Sequence, residues 1–316
     1  MMKTKKNAMR RRMKRSAAIG VVCLILILFA ACGANSKDES SAGAESSEKL
    51  KVVTTIFPEY DFARAIGGEF AEVSMLIDPG SGIHNFDPTP SDIISIQEAD
   101  VFLYIGGESD EWADDILASM DSAGTKTVRL IDFTGGVEEE LKEGMEPEEE
   151  EEHEGEDAEE EPEYDEHIWV SPKNALKLVD AIADAMIEKD EDRADAYRTN
   201  AEAYKEELSK TDAELQAVVD GGARKKIVVA DRFPFRYFVD QYGLDYAAAF
   251  VGCSDQTDAG PKTIAYLVNT VKEEGIPCVY HVELSNKNVA GIISEQTGAE
   301  MLQLNSGENV TKDDFD

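Results

Sequence analysis

The chain is poor in positive charge. Lys and Arg number 31 against 66 Asp and Glu, which gives a formal net charge of −35 over 316 residues. Eight of these cations lie within the first 15 residues, so the remainder of the chain carries a charge of −43. Because such a surface repels a polyanion, nucleic acid is excluded as a natural partner.

Motifs for hydrolysis and for tight calcium binding are also missing. The sequence has no H-E-x-x-H motif, no clear nucleophile elbow and no EF-hand spacing. A zinc-dependent hydrolase needs an open coordination position and a nearby general base, and no such pairing is evident. These absences argue against an enzyme and against a tight calcium site.

Long hydrophobic runs are limited to one near the N-terminus. Residues 16–31 are almost wholly apolar, follow the basic segment and end directly before Cys32. Such an arrangement is typical of a secretory signal. Ala30-Ala31 before the cysteine is similar to a bacterial lipobox, the cleavage site of lipoproteins. Phe29 departs from that pattern, because Leu is usual three residues before the cysteine. Because about 16 residues are short for a membrane span, we expect residues 1–31 to be a cleaved lipoprotein signal peptide, not an uncleaved anchor. Cys32 would then carry the lipid.

Cysteine is scarce in the exported part of the chain. Only Cys253 and Cys278 remain there once the lipidated residue is set aside. An exported pair can form a disulfide, or the two can stay buried thiols, and the sequence leaves both alternatives open.

Strand-like and helix-like segments alternate over most of the remaining sequence. This alternation favours an α/β fold with mostly parallel sheets and flanking helices. It falls into two blocks, residues 50–137 and residues 223–316, which we interpret as an N-terminal and a C-terminal lobe. Since one more helix usually closes such a lobe, we expect the C-terminal lobe to be truncated.

Two further segments of different character lie outside the two lobes. Residues 32–49 are rich in Ser, Ala, Gly and acids and are interpreted as a flexible tether. Residues 167–222 are interpreted as a helical connector: Ser171-Pro172 is typical of a helix start, and a long helix is expected from about Arg193 to Val219.

Residues 138–166 form an acidic, low-complexity segment. It contains 19 Asp and Glu with one Lys and one histidine, His153. We expect self-repulsion to keep this loop extended and without a core. It could collect cations, with His153 as an extra candidate metal ligand, or it could be a plain solvated insert, and both interpretations stay open.

Two histidines stand in loops that are suited to metal binding. His84 follows a strand-like segment and precedes Pro88 and Pro90, which stiffen its loop. His167 lies just before the helix start at Ser171. Imidazoles and carboxylates bind divalent transition metals, and open α/β sheets bind ligands at the carboxyl ends of their strands. The pattern predicts a metal site that includes both histidines.

Three segments resemble the solute-binding proteins of zinc and manganese ABC transporters, the TroA-like cluster A-I family: GIHNFDPTPSDI, YDEHIWVSPKNA and YFVDQYGL. The resemblance covers nearly everything from Lys51 onward. It implies two α/β lobes joined by a long rigid helix, with one metal site between the lobes and His84 and His167 as ligands. It further implies a lipid-anchored monomer on the extracytoplasmic face of the bacterial cell membrane. Such a protein captures Zn²⁺, or alternatively Mn²⁺, and delivers it to an ABC permease and its ATPase. A surface adhesin, a calcium-binding lipoprotein and, less so, a zinc-dependent hydrolase are the rival interpretations.

The ligands from the second lobe are less well defined. Family members place a His or Glu shortly before the Tyr-Phe of the third motif, and strict spacing puts Arg232 there, whose guanidinium cannot bind a metal. A shift of one residue makes Asp231 the ligand, although a plain salt bridge of Asp231 with Arg232 or Arg236 is the alternative. The fourth family ligand is an acid in a later strand or the loop after it, here Glu283, with His281 as a further candidate. Two imidazoles and two carboxylates suit Zn²⁺ and also Mn²⁺, and the acidic loop favours zinc.

Overall fold

The computed structural model confirms the alternation of strands and helices in two halves of the chain. The structure describes residues 48–82, 86–120, 124–146, 164–254, 256 and 258–315. The proposed signal peptide of residues 1–31, Cys32, His84 and His153 lie outside the described residues. From Lys49 onward the chain groups into one unit.

The first lobe is built on a four-stranded parallel sheet with the order β2-β1-β3-β4. Its strands are β1 (Leu50–Thr54), β2 (Ala71–Met75), β3 (Val101–Tyr104) and β4 (Lys126–Arg129), and its helices are α1 (Phe57–Gly67), α2 (Pro90–Gln97) and α3 (Glu111–Ser119). The central strands β1 and β3 are almost fully buried, as expected of apolar and β-branched runs covered on both faces.

Two helices follow the acidic segment, α4 (Pro172–Lys189) and α5 (Ala194–Gly221). The predicted start of α4 is confirmed, because the Ser171 hydroxyl accepts a hydrogen bond from the Asn174 amide at 3.2 Å and Pro172 occupies the first turn. One face of α4 packs into the core of the first lobe through residues that include Leu178 and Ile182.

Helix α5 extends from the first lobe to the second. Its 28 residues span about 42 Å. Tyr197 and Ala201 in its first half are buried in the core of the first lobe. Further along, Asp212 accepts a hydrogen bond from the Tyr242 hydroxyl of the second lobe at 2.8 Å. The long helix expected between the lobes is therefore present.

The second lobe repeats the strand order of the first, as β6-β5-β7-β8, again all parallel. Its strands are β5 (Lys226–Val229), β6 (Asp245–Ala248), β7 (Cys278–Val282) and β8 (Glu300–Leu304), and its helices are α6 (Arg236–Tyr242), α7 (Pro261–Glu273), α8 (Asn288–Thr297) and α9 (Lys312–Phe315). In such sheets the ligand crevice lies at the carboxyl ends of the strands where the order reverses, here β5 and β7. Within the described part of the chain, none of the helices combines the length and apolar character needed to cross a membrane.

The two ends of the acidic segment are folded, which corrects the expectation that residues 138–166 form no core. Glu138 pairs with Tyr164 in an antiparallel bridge. Met145 is buried in the core of the second lobe, and the amide of Glu146 donates to the Ala249 carbonyl at 2.8 Å. The difference arises because acids at these two ends accept hydrogen bonds from the second lobe, Glu139 from the Cys253 amide and Glu146 from the Gly260 amide, both at 2.9 Å. Residues 147–163 lie outside the described part.

Candidate metal site between the lobes

A cleft of about 280 Å³ lies between the lobes. The first lobe contributes the loop Gly80–Gly82, and the second lobe contributes polar side chains that follow its strands, among them Asp231, Arg232, Glu283, Glu308 and Asn309. The Asn309 amide oxygen accepts a hydrogen bond from the Gly80 amide at 3.0 Å across the cleft. His84 lies two residues after Gly82 in sequence but is not among the described residues.

His167 is buried at the boundary between the lobes, with 1% of its surface exposed. Its Nδ1 atom lies 3.1 Å from Asp165 Oδ1, which also accepts the backbone amide of His167 at 2.8 Å and so fixes the ring. Its other ring nitrogen, Nε2, lies 3.6 Å from Glu308 Oε2. Burial lowers the pKa of His167, but the carboxylates of Asp165 and Glu308 outweigh burial and raise this pKa to about 10.

Asp165, which holds the imidazole, is itself fixed from the second lobe. The Tyr237 hydroxyl donates to the Asp165 carbonyl at 2.7 Å. Gly252 approaches so closely that an added Cβ would lie 2.7 Å from Asp165 Oδ2 and 3.1 Å from the Phe233 carbonyl oxygen. Glycine is favoured at this position because an added side chain would force Asp165 to shift.

Glu308 belongs to this site although no local pattern in the sequence marks it as a ligand. It follows β8 and is 2% exposed. Its backbone amide donates to the Ser306 hydroxyl at 3.2 Å, and its Oε2 accepts from Arg232 Nη2 at 2.8 Å. The family resemblance implies an acid in a late strand or the loop after it, and Glu308, in the loop after β8, fits that description as well as Glu283, in the loop after β7.

Asp231 and Glu283 line the same cleft, but their carboxylates are engaged by neighbouring donors. Asp231 accepts the amides of Arg232 at 3.0 Å and of Val282 at 3.1 Å, which ties the end of β5 to the end of β7. Glu283 accepts the amide and the hydroxyl of Ser306 at 2.9 and 2.5 Å. Both therefore order the loops around Glu308.

Neither the Arg232 nor the Arg236 side chain forms the alternative salt bridge with Asp231. Arg232 binds Glu308, and Arg236 binds Glu140 at 2.7 Å. His281 is buried in β7 with Nδ1 2.9 Å from the Val282 carbonyl oxygen. Among the residues that the structure describes, no group of three or more His, Cys, Asp or Glu is arranged to hold a metal ion.

Both cysteines of the second lobe are free thiols. The amide of Cys253 donates to Glu139 Oε1 at 2.9 Å. Burial and the nearby carboxylates, Glu166 first, raise the pKa of the Cys253 thiol well above its usual value. This thiol is accordingly poorly suited to act as a thiolate ligand or nucleophile.

A second, larger cleft of about 770 Å³ opens beside the acidic segment. Acids dominate its lining, namely Glu108, Glu111, Asp114, Asp132, Glu139 and Glu166, with Arg129 as the one cation among the lining residues. Burial raises the pKa of Glu166 to about 7. Glu166 adjoins His167 in sequence, so this acidic surface reaches the edge of the candidate metal site.

Two parallel α/β lobes, a long helix between them and a buried imidazole–carboxylate pair at their junction define the class of solute-binding proteins that capture a metal ion. The family described as zinc-uptake complex component A, periplasmic (ZnuA) matches residues 52–316, and the chain belongs to this family. Membership in it confirms the expectation of a binding protein rather than an enzyme.

Individual relatives agree with this family. The chain is 32% identical over 303 residues to the high-affinity zinc uptake system protein ZnuA of Bacillus subtilis, covering 96% of this chain and 92% of that protein. It is 31% identical to the zinc-binding lipoprotein AdcA of Streptococcus pneumoniae over 85% of this chain, but spans only 52% of AdcA. The crystal structure of the Zn(II)-bound ZnuA-like domain of AdcA superposes with a TM-score of 0.68 at 28% identity, covering 85% of this chain and 91% of the domain.

Proposed function

We propose that this protein captures Zn²⁺ outside the cytoplasmic membrane and delivers it to the permease of an ABC transporter. The observation that carries this proposal is the pairing of His167 Nε2 with Glu308 Oε2 at 3.6 Å. Ligand atoms of a tetrahedral zinc ion lie about 3.4 Å apart. The two atoms come from opposite sides of the junction and need little movement to share one ion.

His84 supplies the second imidazole in this proposal. The loop that leads to it lines the cleft and is bound to Asn309, the residue after Glu308. Asp231 and Glu283 stay candidates for the remaining position, since both line the cleft, and a water molecule is the alternative. Two imidazoles with a carboxylate suit Zn²⁺ better than Mn²⁺, which favours oxygen ligands.

Zinc content and metal competition test the choice of metal. The protein is purified without added metal, its metal content is measured, and Zn²⁺ and Mn²⁺ then compete for the site. We expect bound zinc and a clear preference for it. A preference for Mn²⁺ would overturn the choice of metal without affecting the site.

Substitution of the two histidines tests the site itself. His84→Ala with His167→Ala is expected to abolish tight binding in calorimetry, whereas His153→Ala, in the acidic segment, serves as the matched histidine control. Retained sub-micromolar affinity in the double variant would refute the site.

Deletion of residues 147–163 is expected to leave high-affinity metal binding intact, because in this proposal these residues collect cations electrostatically rather than holding one.

Membrane anchoring is proposed from the sequence alone. Lipidation at Cys32 would hold a monomer near its permease on the extracytoplasmic face, where a separate ATPase drives transport. Cys32→Ala is expected to release the protein from membranes in cell fractionation. Recovery of this variant in the membrane fraction would contradict the lipid anchor.

A further inference from the structure

One oxygen of Glu308 faces both the guanidinium of Arg232 and the imidazole of His167. Arg232 Nη2 lies 2.8 Å from Glu308 Oε2, and His167 Nε2 lies 3.6 Å from the same oxygen. This is the oxygen that the proposed function assigns to the metal. A guanidinium is always charged and cannot serve as a metal ligand. The ion and the guanidinium therefore cannot occupy this oxygen together without strong repulsion.

We propose that Arg232 is an internal counter-ion that holds Glu308 in the metal-free protein and must turn away before the metal binds. The proposal rests on the proposed function and adds a determinant of affinity to it. Arg232 sets the affinity below what the ligands alone would give, and its return to Glu308 assists release of the ion to the permease.

The surroundings of Arg232 allow such a movement. Its side chain is 23% exposed and lines the interlobe cleft, whereas Glu308 is 2% exposed. Its backbone is fixed, since its amide donates to Asp231 Oδ1. A fixed backbone with a long side chain beside an open cleft permits the guanidinium to move into the cleft while Glu308 stays in place.

A purely structural ion pair would have different consequences. Removal of one partner of a buried pair leaves the other charge uncompensated, so a structural role predicts that loss of Arg232 weakens both stability and metal binding. The counter-ion role predicts that the metal-free protein loses stability but that metal affinity rises, because the ion then replaces the missing positive charge.

The test compares zinc affinities by competition with a chromophoric chelator for the whole exported protein and three variants. Arg232→Met is expected to bind Zn²⁺ at least about tenfold more tightly than the unmodified protein. Arg232→Lys keeps the charge and is expected to stay close to the unmodified affinity. Arg236→Met makes the same change in net charge on a side chain that pairs with Glu140, and is expected to change the affinity little.

Thermal melts supply the second measurement. Arg232→Met is expected to lower the melting temperature without zinc and to show a larger zinc-induced increase than the unmodified protein. Unchanged or weaker zinc affinity in Arg232→Met would overturn the counter-ion role while leaving the proposed function intact. If Arg232→Met binds Zn²⁺ tightly and the unmodified protein does not, the counter-ion role is supported and zinc capture by the unmodified protein is overturned. If neither protein binds Zn²⁺, both proposals are overturned. Should Arg232→Met fail to fold, Arg232→Gln carries the same test.

Discussion

The indole nitrogen of Trp169 donates a hydrogen bond to the Ser306 carbonyl at 2.8 Å. Trp169 lies two residues after His167, and its ring packs beside the imidazole at a centroid distance of 5.3 Å. Ser306 precedes Glu308 by two residues and binds Glu283 through its amide and hydroxyl. This single contact between side chain and backbone therefore joins the segment that carries the imidazole to the loop that carries the carboxylate.

Trp169→Phe keeps an aromatic ring beside His167 but removes the N–H donor. We expect zinc affinity to fall about fivefold, the equivalent of about 1 kcal/mol for one hydrogen bond. Trp112→Phe is the matched control, because Trp112 Nε1 is buried with no hydrogen-bond partner among the described residues. Equal zinc affinities in the two variants, measured by chelator competition, would contradict the positioning role of Trp169.

Glu308→Gln tests which acid binds the metal. The amide keeps the shape of the side chain but loses the negative charge, and we expect zinc affinity to fall at least about 100-fold, more than an outer-shell change produces. Calorimetry on the metal-free protein measures this loss.

Glu283→Gln and Asp231→Asn are the comparisons for that prediction. If these carboxylates only order the loops around Glu308, each variant should lose about tenfold in affinity, within the range of outer-shell partners. A larger loss in either variant than in Glu308→Gln would assign the metal to that carboxylate instead.

Gly252→Ala is expected to disturb the metal site without touching a proposed ligand. The new methyl group would lie 2.7 Å from Asp165 Oδ2 and 3.1 Å from a backbone oxygen, so Asp165 must shift together with the imidazole that it holds. Overpacking of this kind costs about 1–3 kcal/mol in the free energy of unfolding. Chemical denaturation and zinc titration should both show the loss.

Gly291→Ala is the matched glycine control for this substitution. Gly291 lies within α8, and an added Cβ meets nothing within 4 Å. Replacement of a helical glycine by alanine in open space should stabilise the protein by about 0.5–1 kcal/mol. Equal effects of the two substitutions would show that the close approach at Gly252 is unimportant.

The sequence predicts those parts of the fold that depend on local patterns. Apolar and β-branched runs mark the buried strands, and Ser171-Pro172 marks the start of α4 because the cap is made within four residues. Family motifs add His84 and His167 as candidate ligands, and their role stays a prediction.

Contacts between distant segments are what the sequence could not supply. Glu308 reaches His167 only because the loop after β8 folds back and is held by Glu283 and Trp169, and no short-range spacing records this. The pairing of Arg232 with Glu308 is equally non-local. The burial of Met145 in the second lobe could not be predicted either, because the acidic composition of residues 138–166 gives no sign that one apolar residue among them packs into a core.

Glu59→Gln is expected to stabilise the protein increasingly as the pH rises. Glu59 is fully buried in α1, and its Oε2 has no hydrogen-bond partner among the described residues, although Thr55 donates to Oε1 at 2.6 Å. Burial raises the pKa of Glu59 to about 8, and the charge of Asp110 adds to this effect.

Between about pH 4.5 and pH 8 the unfolded chain ionises the Glu59 carboxyl group, whereas the folded protein keeps it protonated. The stability that Glu59 contributes is therefore full below pH 4.5 and is lost as the pH rises through 8. Glutamine has no proton to lose, so the melting temperature of Glu59→Gln should match that of the unmodified protein near pH 4.5 and exceed it near pH 8.5. Glu69→Gln makes the same change in charge on an exposed side chain in the turn after the same helix and is the matched control. Parallel pH curves for Glu59→Gln and the unmodified protein would contradict the raised pKa of Glu59.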